Sequence, residues 1–163
     1  VAKLSEGLMV DAAYGYTDPK YDRYLFRDPV TDIISDVADV ARFSALAKYN
    51  WHVGAEYTFA PFSAGRLSAR LDWSEQAERY FYPLDSINIF TEQVKDPGTE
   101  NLRARLALTE MPLGAGTWEV ALWGDNLTDH NNVGYGIDFG GLGFGGLHYS
   151  EPRRYGIDVK VRF

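Results

Sequence analysis

The nine residues YGIDVKVRF, at positions 155–163, decide how this chain is read. Tyr155, Ile157, Val159, Val161 and Phe163 share one parity; Gly156, Asp158, Lys160 and Arg162 share the other. Successive side chains of a strand point to opposite faces, so this segment makes a strand with one apolar and one charged face. A helix would scatter both classes around its axis.

Moving upstream, the same period of two returns. The apolar parity holds Trp118, Val120 and Leu122, then Leu102, Ala104, Leu106 and Leu108, then Leu67, Ala69, Leu71 and Trp73. It continues in Tyr49, Trp51, Val53, Ala55, Tyr57 and Phe59, and in Leu8, Val10, Ala12, Tyr14 and Tyr16. The opposite parity carries Asp11, Glu56, Arg66, Arg70, Asp72, Arg103, Arg105, Glu119 and Trp123. This predicts six strands of about ten residues, the length a tilted strand needs to cross a bilayer. Two connections are short and rich in Pro or Gly, at 60–64 and 111–116. Three are long, at 27–47, 83–101 and 129–151. Connections of that length are uncommon in compact domains, whereas short turns at one end and long loops at the other are the habit of outer-membrane barrels. Aromatic residues gather at both ends: Tyr57, Phe59, Phe62, Trp118 and Phe163 near the short turns, and Tyr14, Tyr16, Trp73, Tyr80 and Tyr82 toward the long loops. Two interfacial girdles would look like this. The expected class is therefore all-β, an antiparallel transmembrane β-barrel. A soluble β-sandwich is the competing reading, with the same apolar faces packed on a second sheet.

Composition narrows the function. The chain has 163 residues, 24% charged and 15% aromatic, with a net charge of −7 and a mean hydropathy of −0.29. That acidic balance disfavours a nucleic-acid surface. No apolar run is long enough for a membrane helix, and alternating lumen-facing and lipid-facing residues cancel in the mean hydropathy. Cysteine is absent, so no thiolate chemistry arises. No G-x-S-x-G elbow or spaced histidine pair appears. No enzyme activity, metal centre or cofactor is expected.

The C-terminal third resembles the end of TonB-dependent outer-membrane receptors. WEVALWGDNLTD at 118–129, a Gly-rich loop, and EPRRYGIDVKVRF at 151–163 match that family's closing pattern. Asn126, Leu127, Asp129, Pro152, Arg153, Gly156 and Phe163 carry the likeness. AYGYTDPKY at 13–21 and GAEYTF at 54–59 resemble earlier segments. The resemblance implies that residues 1–163 are the last six strands of a barrel of about 22 strands. A plug and a TonB-contacting segment would lie upstream. It implies a location in the bacterial outer membrane and import of a scarce ligand, such as a siderophore-bound iron, a cobalamin or an oligosaccharide. Lipid, TonB, a small-molecule ligand and the barrel-assembly machinery are the implied partners. The assembly signal would comprise Tyr155, Gly156, Ile157, Val159, Val161 and Phe163, since an edge strand can be captured by strand addition. A passive pore without a plug is the alternative.

Candidate ligand contacts are Arg70, Arg103 and Arg105, which share the inward face with Arg66, and His148 and Tyr149 in the last loop. Arginine forks suit anionic oxygen pairs and hydroxyls; pairing with nearby carboxylates is the competing expectation. Gly141, Gly143 and Gly146 match G-x-G-x-x-G, but no helix can follow, so a flexible loop is expected. Asp28, Asp32, Asp36 and Asp39 lack the Gly and terminal Glu of a calcium loop; a solvated loop with a short helix over 34–47 is expected there. His52, His130 and His148 are scattered singly.

Overall fold

The computed structural model describes all of residues 1–163. Its centre is one antiparallel sheet. The strands are β1 (Ala2–Lys3), β2 (Leu8–Tyr16), β5 (Tyr49–Thr58), β6 (Arg66–Gln76), β7 (Thr99–Leu113), β8 (Gly116–Asp125) and β11 (Arg154–Arg162), adjacent in that order. All six long strands expected from the alternation are present, and the two-residue β1 adds a stub beside β2. The fold is all-β and the sheet is open, with β11 at one edge. Within the long connections lie a hairpin of β3 (Leu25–Arg27) and β4 (Ile34–Asp36), the one-turn helix α1 (Thr91–Val94), and a hairpin of β9 (Val133–Phe139) and β10 (Phe144–Tyr149).

Register aligns the two parities across every strand. Leu8 faces Tyr57, Tyr57 faces Ala69, Ala69 faces Leu106, Leu106 faces Leu122, and Leu122 faces Ile157. The result is one apolar surface, and nothing in the chain covers it: Tyr155, Ile157 and Val159 are 68%, 67% and 63% exposed. The accessible surface is 10895 Å², against about 8,100 Å² for a compact monomer of this mass. Only 14 of 163 residues are buried. Several of those sit in the loop layer, including Leu84, Val94 and Val133, and others, Ala107 and Ala121, lie on the polar side of the sheet.

Three local devices hold the register. β7 runs on through residues expected to be a turn, and bends at a bulge between Leu108 and Met111. Glu110 there takes φ 57°. The extra residue moves the apolar parity from Leu106 and Leu108 to Met111 and Leu113, so the same face stays apolar. The connection then needs only Gly114 and Ala115, with Gly114 at φ 59° in the first central position, as a II′ hairpin requires. The turn between β5 and β6 closes where Phe62 and Gly65 exchange both backbone hydrogen bonds. Gly156 faces the polar side under the indole of Trp123, where any Cβ would collide with the ring.

The expected helix over 34–47 does not form. Ile34–Asp36 is a strand, and the backbone donors of Arg42 and Ala45 go to the carbonyls of Pro83 and Tyr80 rather than back along their own segment. Ala45 takes φ 58°, which ends any helical run. In the Gly-rich stretch, Gly140–Leu142 makes a 3-10 turn and Gly143, at φ 80°, closes the β9–β10 hairpin. Tyr80 and Tyr82, expected in a girdle, are built into the loop layer instead; on the apolar face, Trp51 stands beside Trp73 with ring centroids 6.1 Å apart.

Gly156→Leu should force Trp123 off the sheet and break its indole bond to Asp158. Overpacking of this kind costs about 1–3 kcal/mol. A urea titration checks this; an unchanged midpoint would show that the indole has room to move.

Candidate functional site

The polar face of the sheet carries three ion groups, each centred on one residue. Arg70 donates through Nε and Nη2 to Asp72 at 2.9 and 2.5 Å, and through Nη2 to Asp11 at 3.1 Å. Glu56 lies 3.8 Å from its Nη1, and His52 Nε2 is 3.1 Å from Asp11. Gly54 is the floor of this group: a Cβ there would lie 2.6 Å from Arg70 Nη2 and 2.8 Å from both Asp11 and Asp72. Arg105 forms the second group, donating to Asp158 at 2.6 Å with Glu119 at 3.4 Å, while the Trp123 indole N–H donates to Asp158 at 3.2 Å. Asp125 centres the third. It accepts from Arg103 Nε at 2.7 Å, Asn101 Nδ2 at 3.0 Å and Arg154 Nη2 at 2.7 Å.

The structure therefore places Arg70, Arg103 and Arg105 on one face, as the alternation indicates, yet each is neutralised by carboxylates. Arg66 likewise has Glu110 at 3.5 Å. The bare basic ladder is replaced by balanced clusters. Asp11, Glu56, Asp72, Glu119 and Asp158 share the arginines' face by parity, and the expected pairing with nearby carboxylates is what the structure shows. His148 and Tyr149 lie apart, on the exposed β10, and make no contact with the arginines. Tyr155, Ile157, Val159 and Val161 line the apolar face of β11, Gly156 lies opposite, and Phe163 is fully exposed beyond the strand.

The base of the last loop is tied by residues sequence reasoning noted only as a likeness. Asn126 is buried and sits at φ 50°. Its side chain accepts from the His130 backbone N–H at 3.0 Å and donates to the His130 carbonyl at 2.9 Å. Its own N–H donates to Asn101 Oδ1 at 3.0 Å. Asp129, at φ 58°, accepts from the Arg153 backbone and pairs with its guanidinium at 3.4 Å. Asn132 grips Glu100 by two bonds, 2.9 Å to the N–H and 2.8 Å to the carbonyl. Beside this knot opens a cleft of about 410 Å³ lined only by polar side chains, among them Asn101, Arg103, Asp125 and Arg154.

A second set of contacts clasps the first long connection to the next. The Arg42 guanidinium lies 4.1 Å above the Tyr80 ring and Lys95 Nζ lies 5.0 Å from it. Lys95 also bonds Glu78 at 2.9 Å, Glu92 at 3.0 Å and the Tyr80 hydroxyl at 3.2 Å, while Arg42 pairs with Asp85. The bond to Glu78, then those to Glu92 and Tyr80, hold the Lys95 ammonium well above the ordinary lysine range. Lys95 in turn holds Glu92 below the ordinary carboxylate range. The acids once weighed as calcium ligands make turns: Asp28 is held low by the N–H groups of Thr31 and Val30, and Asp36 by those of Tyr24 and Ala38. Asp32 pairs with Arg27 at 3.1 Å. No cluster of three or more His, Asp or Glu side chains is arranged to hold a metal ion.

Comparison with protein-family models, with curated proteins and with solved structures finds no match for this chain.

Two outcomes follow from these contacts. Asn126→Ala removes both side-chain bonds to His130 and puts a Cβ residue with no local hydrogen bond in a left-handed conformation, a loss of about 2 kcal/mol. Asn126→Gly keeps the backbone freedom and loses only the bonds, so it should fall between Ala and wild type in a denaturant titration. The clasp has a pH window. Lys95, raised in the folded state, contributes fully below the unfolded lysine value of about 10.4 and loses this as pH rises through its folded value; Glu92, lowered, contributes above about 4.3 and loses this as pH falls through its folded value. Hydrogen exchange of the α1 amides, corrected for intrinsic rates, should thus stay slow near neutrality and quicken below about pH 4. Flat protection down to pH 3 would show the clasp is not electrostatic.

Proposed function

We propose that this chain is the C-terminal wall of an outer-membrane transport barrel, of the TonB-dependent receptor kind, which imports a scarce ligand through a lumen lined by the polar face. One observation carries the reading: an uncovered apolar face, in register over six strands, backed by a face of ion pairs. A sheet with these two faces is at rest between lipid and water. A ten-residue strand is roughly 33 Å long, and tilted at about 40° it spans roughly 25 Å, the height of the apolar band of such barrels. Every long connection leaves from the same end of the sheet, which in this reading is extracellular, with the short turns periplasmic.

The free edge of β11 must find a partner strand, because unpaired backbone groups in hydrocarbon cost several kcal/mol each. In the proposal, β11 pairs with a barrel strand outside these 163 residues. The same edge, with Tyr155, Ile157, Val159 and Val161 on its lipid side and Phe163 at its end, is what the barrel-assembly machinery takes up. The ligand enters past the β9–β10 hairpin, which carries His148 and Tyr149.

The test is fractionation of bacteria expressing the full natural chain that contains this segment. The protein should remain in the outer-membrane pellet after carbonate extraction and need detergent to stay monodisperse. A soluble, monodisperse protein without detergent would replace the barrel by a β-sandwich.

A further inference from the structure

We infer that the polar cleft at the loop end of β7, β8 and β11 binds a neutral, hydroxyl-rich ligand, a short oligosaccharide. The inference rests on the transport reading for its setting, since in a barrel this face is the lumen; the cleft itself is built within this chain.

Its size, about 410 Å³, falls in the range of small-molecule sites, roughly 300–1,000 Å³. Its lining does not follow their usual pattern. Such sites are mostly apolar with a few polar groups, and here all ten lining residues are polar. An apolar ligand would find no hydrophobic side chain to pack on.

Charge narrows the class further. The lining holds two cations, Arg103 and Arg154, and two anions, Asp125 and Glu151. They are mutually paired: both arginines bond Asp125, and Arg154 also pairs with Glu151. A charged ligand meets no net opposite charge, and an anion also meets a chain of net charge −7.

What the cleft does offer is a set of uncommitted donors together with hydroxyls that can both donate and accept. Arg103 spends only Nε on Asp125, leaving both terminal amino groups, and its side chain is 63% exposed. Asn101 has a second amide N–H. The hydroxyls of Ser74, Thr99 and Ser150 complete the set. A sugar hydroxyl donates one hydrogen bond and accepts others, so neighbouring hydroxyls can accept from the free arginine and amide N–H groups and exchange bonds with the three hydroxyls. Asp125 is held by three donors before any ligand arrives, so little ordering is left to do on binding.

The test applies purified full-length protein in detergent to a printed array of neutral, acidic and basic glycans, followed by calorimetry with the best neutral oligosaccharide and with citrate as an anionic probe. Neutral glycans should bind, citrate should not, and Ser150→Ala and Arg103→Gln should each weaken binding on the order of tenfold. Ser150→Ala leaves the ion trio whole, so a folding defect cannot account for its loss. Citrate bound in preference to every neutral glycan, or no neutral glycan bound by protein that fractionates with the outer membrane and stays folded, would overturn the inference. Protein that is soluble without detergent yet binds the glycan would instead sink the barrel reading and leave the cleft's ligand standing.

Discussion

A one-residue slip between any two strands of this sheet would carry its arginines to the apolar face and its leucines among the ion pairs. That register is the constraint on which the rest depends. Backbone hydrogen bonds cannot enforce it, because a slipped ladder forms as many. It is enforced by particular residues. Gly54 admits the Arg70 guanidinium, and Gly156 admits the Trp123 indole. A strand shifted by one would present Glu56 or Asp158 to the apolar side instead. The bulge at Glu110 shows the same demand met differently: when an extra residue enters β7, the apolar residues change parity with it, and the face is preserved.

The polar face is neutralised locally rather than on average. Each arginine sits among acids that come from as far as two strands away, so Asp11 from β2 reaches Arg70 on β6 across β5, and Asp158 from β11 reaches Arg105 on β7 across β8. Such pairs, partly open to water, contribute modestly to stability. Their larger effect is on order. A charge-paired face has fixed side chains, and only groups left over from the pairing are available to a ligand. This explains why an arginine's presence on the face says little and its unspent valences say much. Arg70 spends Nε and Nη2 on Asp72 and Asp11, with Glu56 3.8 Å from Nη1, whereas Arg103 keeps both terminal nitrogens.

The strands were legible because one rule, period two, governs every residue in them, and the apolar face needs no knowledge of distant contacts. The loop layer was not, because its backbone donors pair with remote acceptors. Arg42 and Ala45 find carbonyls of Pro83 and Tyr80, and no local propensity records that. The helix expected over 34–47 therefore does not form. The site was half legible. Parity put Arg70, Arg103 and Arg105 together and also held their acid partners, but the gap between β8 and β11, which brings Arg154 and Glu151 back to Asp125, spans a loop whose path only the fold shows.

That return path is held by a few residues at the end of β8 and the start of β11. Asn126 and Asp129, both in left-handed backbone, lie where β8 stops and the chain must leave the sheet. Leu127 between them donates its N–H to Leu102 and packs against Gly124. Asp129 holds Arg153 at the point where the chain re-enters as β11. The Asn-Leu-x-Asp and Pro-Arg segments are thus one unit, a staple that sets exit and re-entry side by side. The cleft's walls come from the strands, from Asn126 in the staple, and from Asn132, Ser150 and Glu151 at the root of the hairpin, where Ser150 donates its N–H to the Asn132 carbonyl.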